Sequence, residues 1–362
     1  MRITSVIGAR PQIIKAAVVS RALATAGIQE TLIHTGQHYD HSLSSDFIEE
    51  LSLTPPGANL EVGSGTHAYQ TGRMLIRIEE HLLSARPNLV LLYGDTNSTL
   101  AGALAAAKLN VPIAHVEAGV RHYDQTVPEE INRVVTDHVS TILFCPTVAT
   151  VENLANEGIR NGVEWVGDVL LDSVLAHAET ADKESHILGD LGIEAGGYYL
   201  ATIHRASNTD CPAHLEGILS ALEACERPVV LPLHPRTRRA LEKLRGKRPP
   251  ICANNVKLIE PTGYHDFLKL EKNAKVILTD SGGVQKEAYF LRTPCITVSG
   301  YSPWVETIQD GWNILVPPER ERILSAVEAA MQPQHRAEGA FGDGSAAAKI
   351  AQYLQKWKAP DV

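Results

Sequence analysis

Short apolar runs of β type alternate with longer helical stretches along almost the whole chain. Residues 3–7, 30–34, 89–93, 113–116 and 141–144 read as strands, with helical segments such as 13–26 and 99–108 between them. Strands separated by helices rather than by tight turns call for parallel pairing with right-handed crossovers. After Pro146 come another helix, the segment Val163-Glu-Trp-Val-Gly167 and a polar stretch over 180–194. The series then restarts at 198–203, 228–233, 256–259, 276–278 and 295–298, and a helix over 346–358 closes the chain. The pattern predicts an α/β protein of two doubly wound domains with a cleft between them. The N-terminal domain is expected over 1–167, the C-terminal one over 168–342, and a closing helical segment over 343–362.

One strand-to-helix junction stands out. Val276-Ile-Leu-Thr runs into Asp280-Ser281-Gly282-Gly283, and Glu287 follows about one helical turn later. Two glycines let backbone N–H groups approach a ligand closely, and the N-terminus of the next helix favours negative charge, so the element reads as a phosphate cradle. Glu287 is placed to accept hydrogen bonds from a ribose diol, which makes the expected ligand a nucleotide diphosphate. The plain alternative is a sharp turn that needs glycine and nothing more. Against it stands an echo of the same layout at Gly94-Asp95-Thr96-Asn97-Ser98, with an alanine-rich helix, Val111-Pro112 and a strand ending at Glu117. In open parallel sheets ligands bind beyond the carboxyl ends of the strands, where both units put their polar residues.

Further polar groups fall at predicted strand ends. Arg10 and Lys15 follow the first strand and set two cations near a helix N-terminus, an arrangement that suits an arriving phosphate. Asp95 and Glu117 end neighbouring strands, and Glu129 and Glu130 follow Pro128 in a polar segment reaching Arg133. Converging carboxylates point to acid–base work or to a metal, yet no His, Cys and carboxylate spacing resembles a ligand set. Glu129 also suits a plain helix N-terminal carboxylate. In the second half, His204-Arg205 and His234-Pro235-Arg236 end successive strands, where histidines titrate near neutrality.

The composition narrows the classes. The chain has 362 residues, a formal net charge of −9 and scattered acids and bases, so no basic face argues for nucleic acid. Its five cysteines are odd in number and widely spaced, as expected of reduced thiols in a cytoplasmic protein. The first residues read as a strand, and no apolar run approaches membrane-spanning length.

Taken together, Gly8-Ala-Arg10-Pro11 with Lys15, Gly94-Asp95-Thr96, His115-Val-Glu117-Ala-Gly119 with Arg121, Pro128-Glu-Glu-Ile-Asn132-Arg133, His204-Arg205, Asp280-Ser-Gly-Gly283 with Glu287, and Phe341-Gly-Asp-Gly-Ser345 resemble the non-hydrolysing UDP-N-acetylglucosamine 2-epimerases. The resemblance runs in order over nearly the whole chain. It implies two Rossmann-like domains in the glycosyltransferase-B arrangement, a last helix returning to the first domain, a homodimer, a UDP-sugar substrate and no redox cofactor. It places UDP against Arg10, Ser281, Gly282, Gly283 and Glu287, with Lys15, Arg133, His234 and Glu306 also on the substrate side. Catalysis or its close support falls to Asp95, Glu117, Glu129 and His204.

The implied chemistry eliminates UDP to a 2-acetamido glycal and adds it back after protonation on the other face of C2. This chain departs from the common pattern at Ala9 and Gln12, and the segment between Arg121 and Pro128 is short. Trp304-Val-Glu306-Thr307 with Gly311-Trp312-Asn313 looks more like the branch acting on UDP-2,3-diacetamido-2,3-dideoxyglucuronic acid, although Pro303 replaces that branch's acid. The region of Gln37-His38-Tyr39 corresponds to an effector site in some members. A transferase using the same nucleotide cradle, a hydrolysing epimerase and a nucleotide-sugar sensor remain alternatives.

Overall fold

In a computed structural model, which describes residues 1–37, 47–244, 255–330, 332–333 and 338–358, the apolar runs become the strands of two parallel sheets. The first holds β1 (Arg2–Ile7), β2 (Gln29–His34), β3 (Ala58–Asn59), β4 (Leu89–Tyr93), β5 (Ile113–Val116), β6 (Ile142–Cys145) and β7 (Val163–Trp165) in the order β3-β2-β1-β4-β5-β6-β7. The second holds β8 (Tyr199–Thr202), β9 (Val229–Pro232), β10 (Val256–Ile259), β11 (Val276–Thr279), β12 (Cys295–Val298) and β13 (Asn313–Val316) in the order β10-β9-β8-β11-β12-β13. Both orders reverse direction beside the unit's first strand, between β1 and β4 and between β8 and β11. Each reversal opens a crevice at the strands' carboxyl ends, where open α/β sheets take ligands.

Strand periodicity explains how each sheet is covered on both faces. In the second sheet Tyr199, Ala201, Val229, Leu231, Val276 and Leu278 join one core cluster, while Tyr198, Leu200, Val230 and Ile277 join another on the opposite face. Successive side chains of a strand point to opposite faces, so a continuous apolar run is what a doubly covered parallel strand requires.

Several boundaries differ from the sequence expectation for local reasons. The first helix starts at Arg10 rather than residue 13, because Pro11 suits a first helical turn. The polar stretch over 180–194 is largely helical: one helix spans Val169–Glu184, and a short one, Ile187–Leu191, ends where Gly192 turns left-handed. Strand β13 and the long helix His67–Ala85 lie outside the elements the pattern singled out. The last helix is Ala346–Lys356 and stops short of residue 358.

The chain divides into two compact units, Met1–Ser173 with Glu338–Val362, and Val174–Ala337. The C-terminal helix thus belongs with the N-terminal sheet. The Asp172 carboxylate accepts hydrogen bonds from the N–H groups of Ala346 (3.1 Å) and Ala347 (2.8 Å), which satisfies two open donors of that helix. At its other end the Gln355 amide donates to the Ala26 carbonyl at 3.0 Å, and the Tyr353 ring meets Phe144 edge-on at 5.5 Å. No helix among the described residues is long and apolar enough to cross a membrane.

Candidate active site

In the first unit, the β1, β4 and β5 loops gather the predicted groups into two charge pairs. The Lys15 ammonium, on the first helix, donates to the Glu117 carboxylate directly after β5, with both side chains almost wholly buried. Glu117 sits at φ 73°, a left-handed conformation that costs a non-glycine residue about 1–3 kcal/mol and tends to collect at functional sites. Two residues beyond β4, the Asp95 carboxylate accepts from Arg133 at 2.5 Å. Arg133 also donates to Glu130 at 3.1 Å, and burial alone would lower its pKa, but Asp95 and Glu130 more than reverse that.

The two acids after Pro128 take different surroundings. Glu130 is buried and accepts the N–H groups of His122 and Tyr123, each at 2.8 Å, so it closes the loop ahead of its own helix. Glu129 is exposed in the first turn of the same helix, Pro128–Val139. One turn on, the Asn132 amide donates to the Asp95 carbonyl at 2.9 Å. Asn132 and Arg133 therefore hold both ends of Asp95. Arg10 lies over the Phe47 ring with its guanidinium carbon 4.0 Å from the centroid.

Gln12 plays a part that its position in the sequence did not announce. Its side-chain oxygen accepts the N–H of Gly8 at 2.8 Å, and its amide donates to the Tyr93 carbonyl at 2.8 Å and to the Thr99 hydroxyl at 3.0 Å. It thereby ties the ends of β1 and β4 together beneath the loops. Gln37 accepts from the N–H and hydroxyl of Ser98. His38 and Tyr39, the rest of the suggested effector region, lie outside the described residues, as does Cys252.

In the second unit the glycine-bearing strand-to-helix junction expected from the sequence forms at the β8–β11 reversal. The helix Gly282–Leu291 begins at the two glycines, and the Ser281 N–H donates to the Thr279 hydroxyl at 2.9 Å. A methyl group at Gly282 would lie 3.4 Å from the indole nitrogen of Trp304 and 3.5 Å from a guanidinium nitrogen of Arg205. The space over Gly282 is thus flanked by an N–H donor and a cation, both suited to phosphate oxygens. Trp304 is buried, and the Lys286 ammonium sits 3.9 Å over its ring centroid. Glu287 is buried one turn into the helix, and Glu306 lies in the short helix Val305–Gln309.

The two predicted histidines meet there. The His204 and His234 rings lie 5.1 Å apart at 36°. His204 also approaches the buried Asp280 carboxylate at 3.9 Å, and Asp280 accepts its backbone N–H. Sequence reasoning named the His204-Arg205 motif but gave Arg205 no role. The available signal was a cation three residues beyond the end of β8, next to His204. No cluster of three or more metal-ligating side chains occurs among the described residues.

Two doubly wound parallel units, each presenting polar groups at its order-reversal point, define an α/β enzyme fold of the glycosyltransferase-B type. Residues 21–355 match the profile of the UDP-N-acetylglucosamine 2-epimerase family, and the chain belongs to that family of epimerases. A UDP-N-acetylglucosamine 2-epimerase homolog of Methanococcus maripaludis is 50% identical, over 98% of this chain and 99% of its own length. The UDP-2,3-diacetamido-2,3-dideoxy-D-glucuronate 2-epimerase of Pseudomonas aeruginosa is 45% identical over 98% of this chain and all of its own. The fold is also similar to the Methanocaldococcus jannaschii UDP-GlcNAc 2-epimerase solved with UDP-GlcNAc and UDP, with a TM-score of 0.92 at 42% identity, covering 98% of this chain and 99% of that one.

Proposed function

We propose that this epimerase inverts C2 of a UDP-linked 2-acetamido sugar without hydrolysing it. The observation that carries this reading is the division of labour between the two reversal points. The second unit offers a helix N-terminus beside Arg205 and Trp304, while the first offers two carboxylates, each held by one cation. Ser281, Gly282 and Gly283 receive the diphosphate, with Arg10 and His234 as further partners, and Glu287 receives the ribose diol.

A C2 proton with no adjacent carbonyl is a very weak acid, so departure of UDP must first build positive charge at C1. N–H groups and cations on the leaving diphosphate stabilise that step, and a carboxylate then takes the C2 proton as the C1–C2 double bond forms. Protonation of C2 on the opposite face and return of UDP to C1 complete the inversion. Asp95, Glu117, Glu129 and His204 are the groups for these proton transfers and their support, with Lys15, Arg133 and Glu306 on the substrate side. The cycle consumes no redox equivalents.

The substrate is UDP-N-acetylglucosamine or its 2,3-diacetamido uronate relative, and the 45% identical Pseudomonas aeruginosa protein keeps the second in view. Proton NMR in D2O with each nucleotide sugar tests the whole reading. Deuterium at C2 with a reversible gluco/manno mixture is the expected result and identifies the sugar. Release of free sugar and UDP would replace the reading with a hydrolysing epimerase, and no change with either sugar would favour a transferase. We further place the enzyme in the cytoplasm as a homodimer. Tyr69, Ile76 and Leu83 support the dimer: they are exposed at seven-residue spacing along helix His67–Ala85 and form an apolar stripe suited to a helix of a second copy.

A further inference from the structure

Beneath the proposed acid–base groups lies a buried polar chain that the reaction does not use directly. His115, on β5, is wholly enclosed, with Nδ1 2.7 Å from Asp137 Oδ1 and Nε2 2.7 Å from the Gly94 carbonyl oxygen. Asp137 is equally enclosed, and its other oxygen accepts Arg121 at 2.7 Å and the Gly119 N–H at 3.0 Å. Burial alone would raise the Asp137 carboxyl, but His115 and Arg121 together hold it below its ordinary value. Arg121 is itself clamped at two points by Glu157, at 2.6 and 2.8 Å.

The carbonyl at the end of this chain belongs to the peptide that carries Asp95. Gly94 stands at φ 62°, its N–H donates to the Val116 carbonyl at 3.0 Å, and a methyl group there would come within 3.3 Å of Glu117 Oε2 and 3.5 Å of Lys15 Nζ. The Gly94–Asp95 peptide therefore carries Asp95 and lies beside the Glu117–Lys15 pair. A carbonyl oxygen and an ionised carboxylate can only accept, so each ring nitrogen of His115 must present a hydrogen for both contacts to hold.

We propose that His115, backed by Asp137, is a positioning residue for the epimerisation: it fixes the Gly94–Asp95 peptide plane and through it the placement of Asp95 and Glu117. This inference rests on the reading of Asp95 and Glu117 as acid–base groups. It ties the His115 pair to the geometry of proton transfer at C2 rather than to the nucleotide contacts. Displacement of a reacting group by about 1 Å from a site away from the chemistry costs on the order of 100-fold in rate.

The test combines two variants with a measurement on the unmodified enzyme. His115→Gln and Asp137→Asn, each checked for folding by circular dichroism, are expected to lower kcat and C2 deuterium exchange about 100-fold. KM and UDP affinity are expected to stay within about threefold, and a folded variant with unchanged kcat, or with kcat and UDP affinity lost together, would overturn the proposal. Nitrogen-15 NMR of the histidine-labelled wild type reads the ring directly: hydrogens on both nitrogens of His115 are expected, and a bare nitrogen facing Gly94 would remove the contact on which the proposal stands. Because that spectrum needs no turnover, failure of the epimerase reading and failure of this one are told apart.

Discussion

Asp95 and Asp280 occupy matching places, each after the strand that lies beside its unit's first strand, yet they face opposite fates. Asp280 is fully buried and accepts the N–H groups of His204 and Arg205 and the side-chain amide of Asn208, at 2.9 to 3.1 Å. Asp95 keeps a third of its side chain exposed and accepts from Arg133. The cause lies in the loop of the neighbouring strand. After β8 the backbone N–H groups turn toward Asp280, whereas after β1 the Gly8 N–H is taken by Gln12. A carboxylate at a strand end is thus a backbone clamp where local donors converge on it, and stays partly exposed where a neighbouring side chain has already taken them.

The sharpest way to break this contrast is to neutralise the carboxylates proposed for acid–base work. Asp95→Asn and Glu117→Gln should each slow turnover by about 10²–10⁴, the range for removing a positioned acid or base. UDP affinity, measured by calorimetry, should change little, and a variant with unaltered turnover would take that residue out of the mechanism. Next in size is the clamp. Asp280→Asn trades a charged acceptor for an amide that turns one face of hydrogens toward donors, with an expected loss of about 2–3 kcal/mol in denaturant unfolding. Wild-type stability would show that the clamp carries no such weight. Smaller again is Gly282→Ala: its methyl group enters the space between Trp304 and Arg205, and UDP binding should weaken about tenfold, or about 1.4 kcal/mol. Full affinity in that variant would move the diphosphate away from this helix N-terminus.

The contrast also marks how far the sequence could be read. Strand runs such as Leu89–Tyr93, Ile113–Val116 and Cys295–Val298 were legible to the residue, because strands covered on both faces are buried and mostly apolar, and the edge strand Val256–Ile259 was legible despite its partly exposed residues. The strand-to-helix junction at Ser281-Gly282-Gly283 was legible because two glycines directly follow an apolar strand run. Strand β13, Asn313–Val316, was obscured because it opens on an asparagine behind the polar turn at Asp310-Gly311. The partners of each carboxylate were not legible either. Lys15 and Glu117 lie 102 positions apart, Arg133 and Asp95 38, and only the order of strands in the sheet brings such pairs together. Glu129 and Glu130 are adjacent and alike in sequence, yet helix geometry buries one against the Arg121–Tyr123 loop and leaves the other at the surface.

The same contrast extends to a carboxylate with no chemical role assigned. Where the first unit gives Glu117 and Asp95 a cation each, the second encloses Glu271, in the helix Tyr264–Asn273, with neither carboxyl oxygen hydrogen-bonded among the described residues. Burial pushes its carboxyl well above the ordinary 4.5, and the neighbouring Glu287 charge adds to the effect. A carboxyl raised in the folded state binds a proton that the unfolded chain has released. Its cost to stability is therefore absent below about pH 4.5 and grows as pH rises toward the folded value. Glu271→Gln removes the titration at nearly constant shape, so the variant should match wild type near pH 4 and exceed it in stability at pH 7, by a margin that widens as pH rises between them. A stability difference that stays flat between those two pH values would mean that Glu271 is ionised in the fold and has found a partner. The second unit would then treat its buried acid as the first treats Glu117.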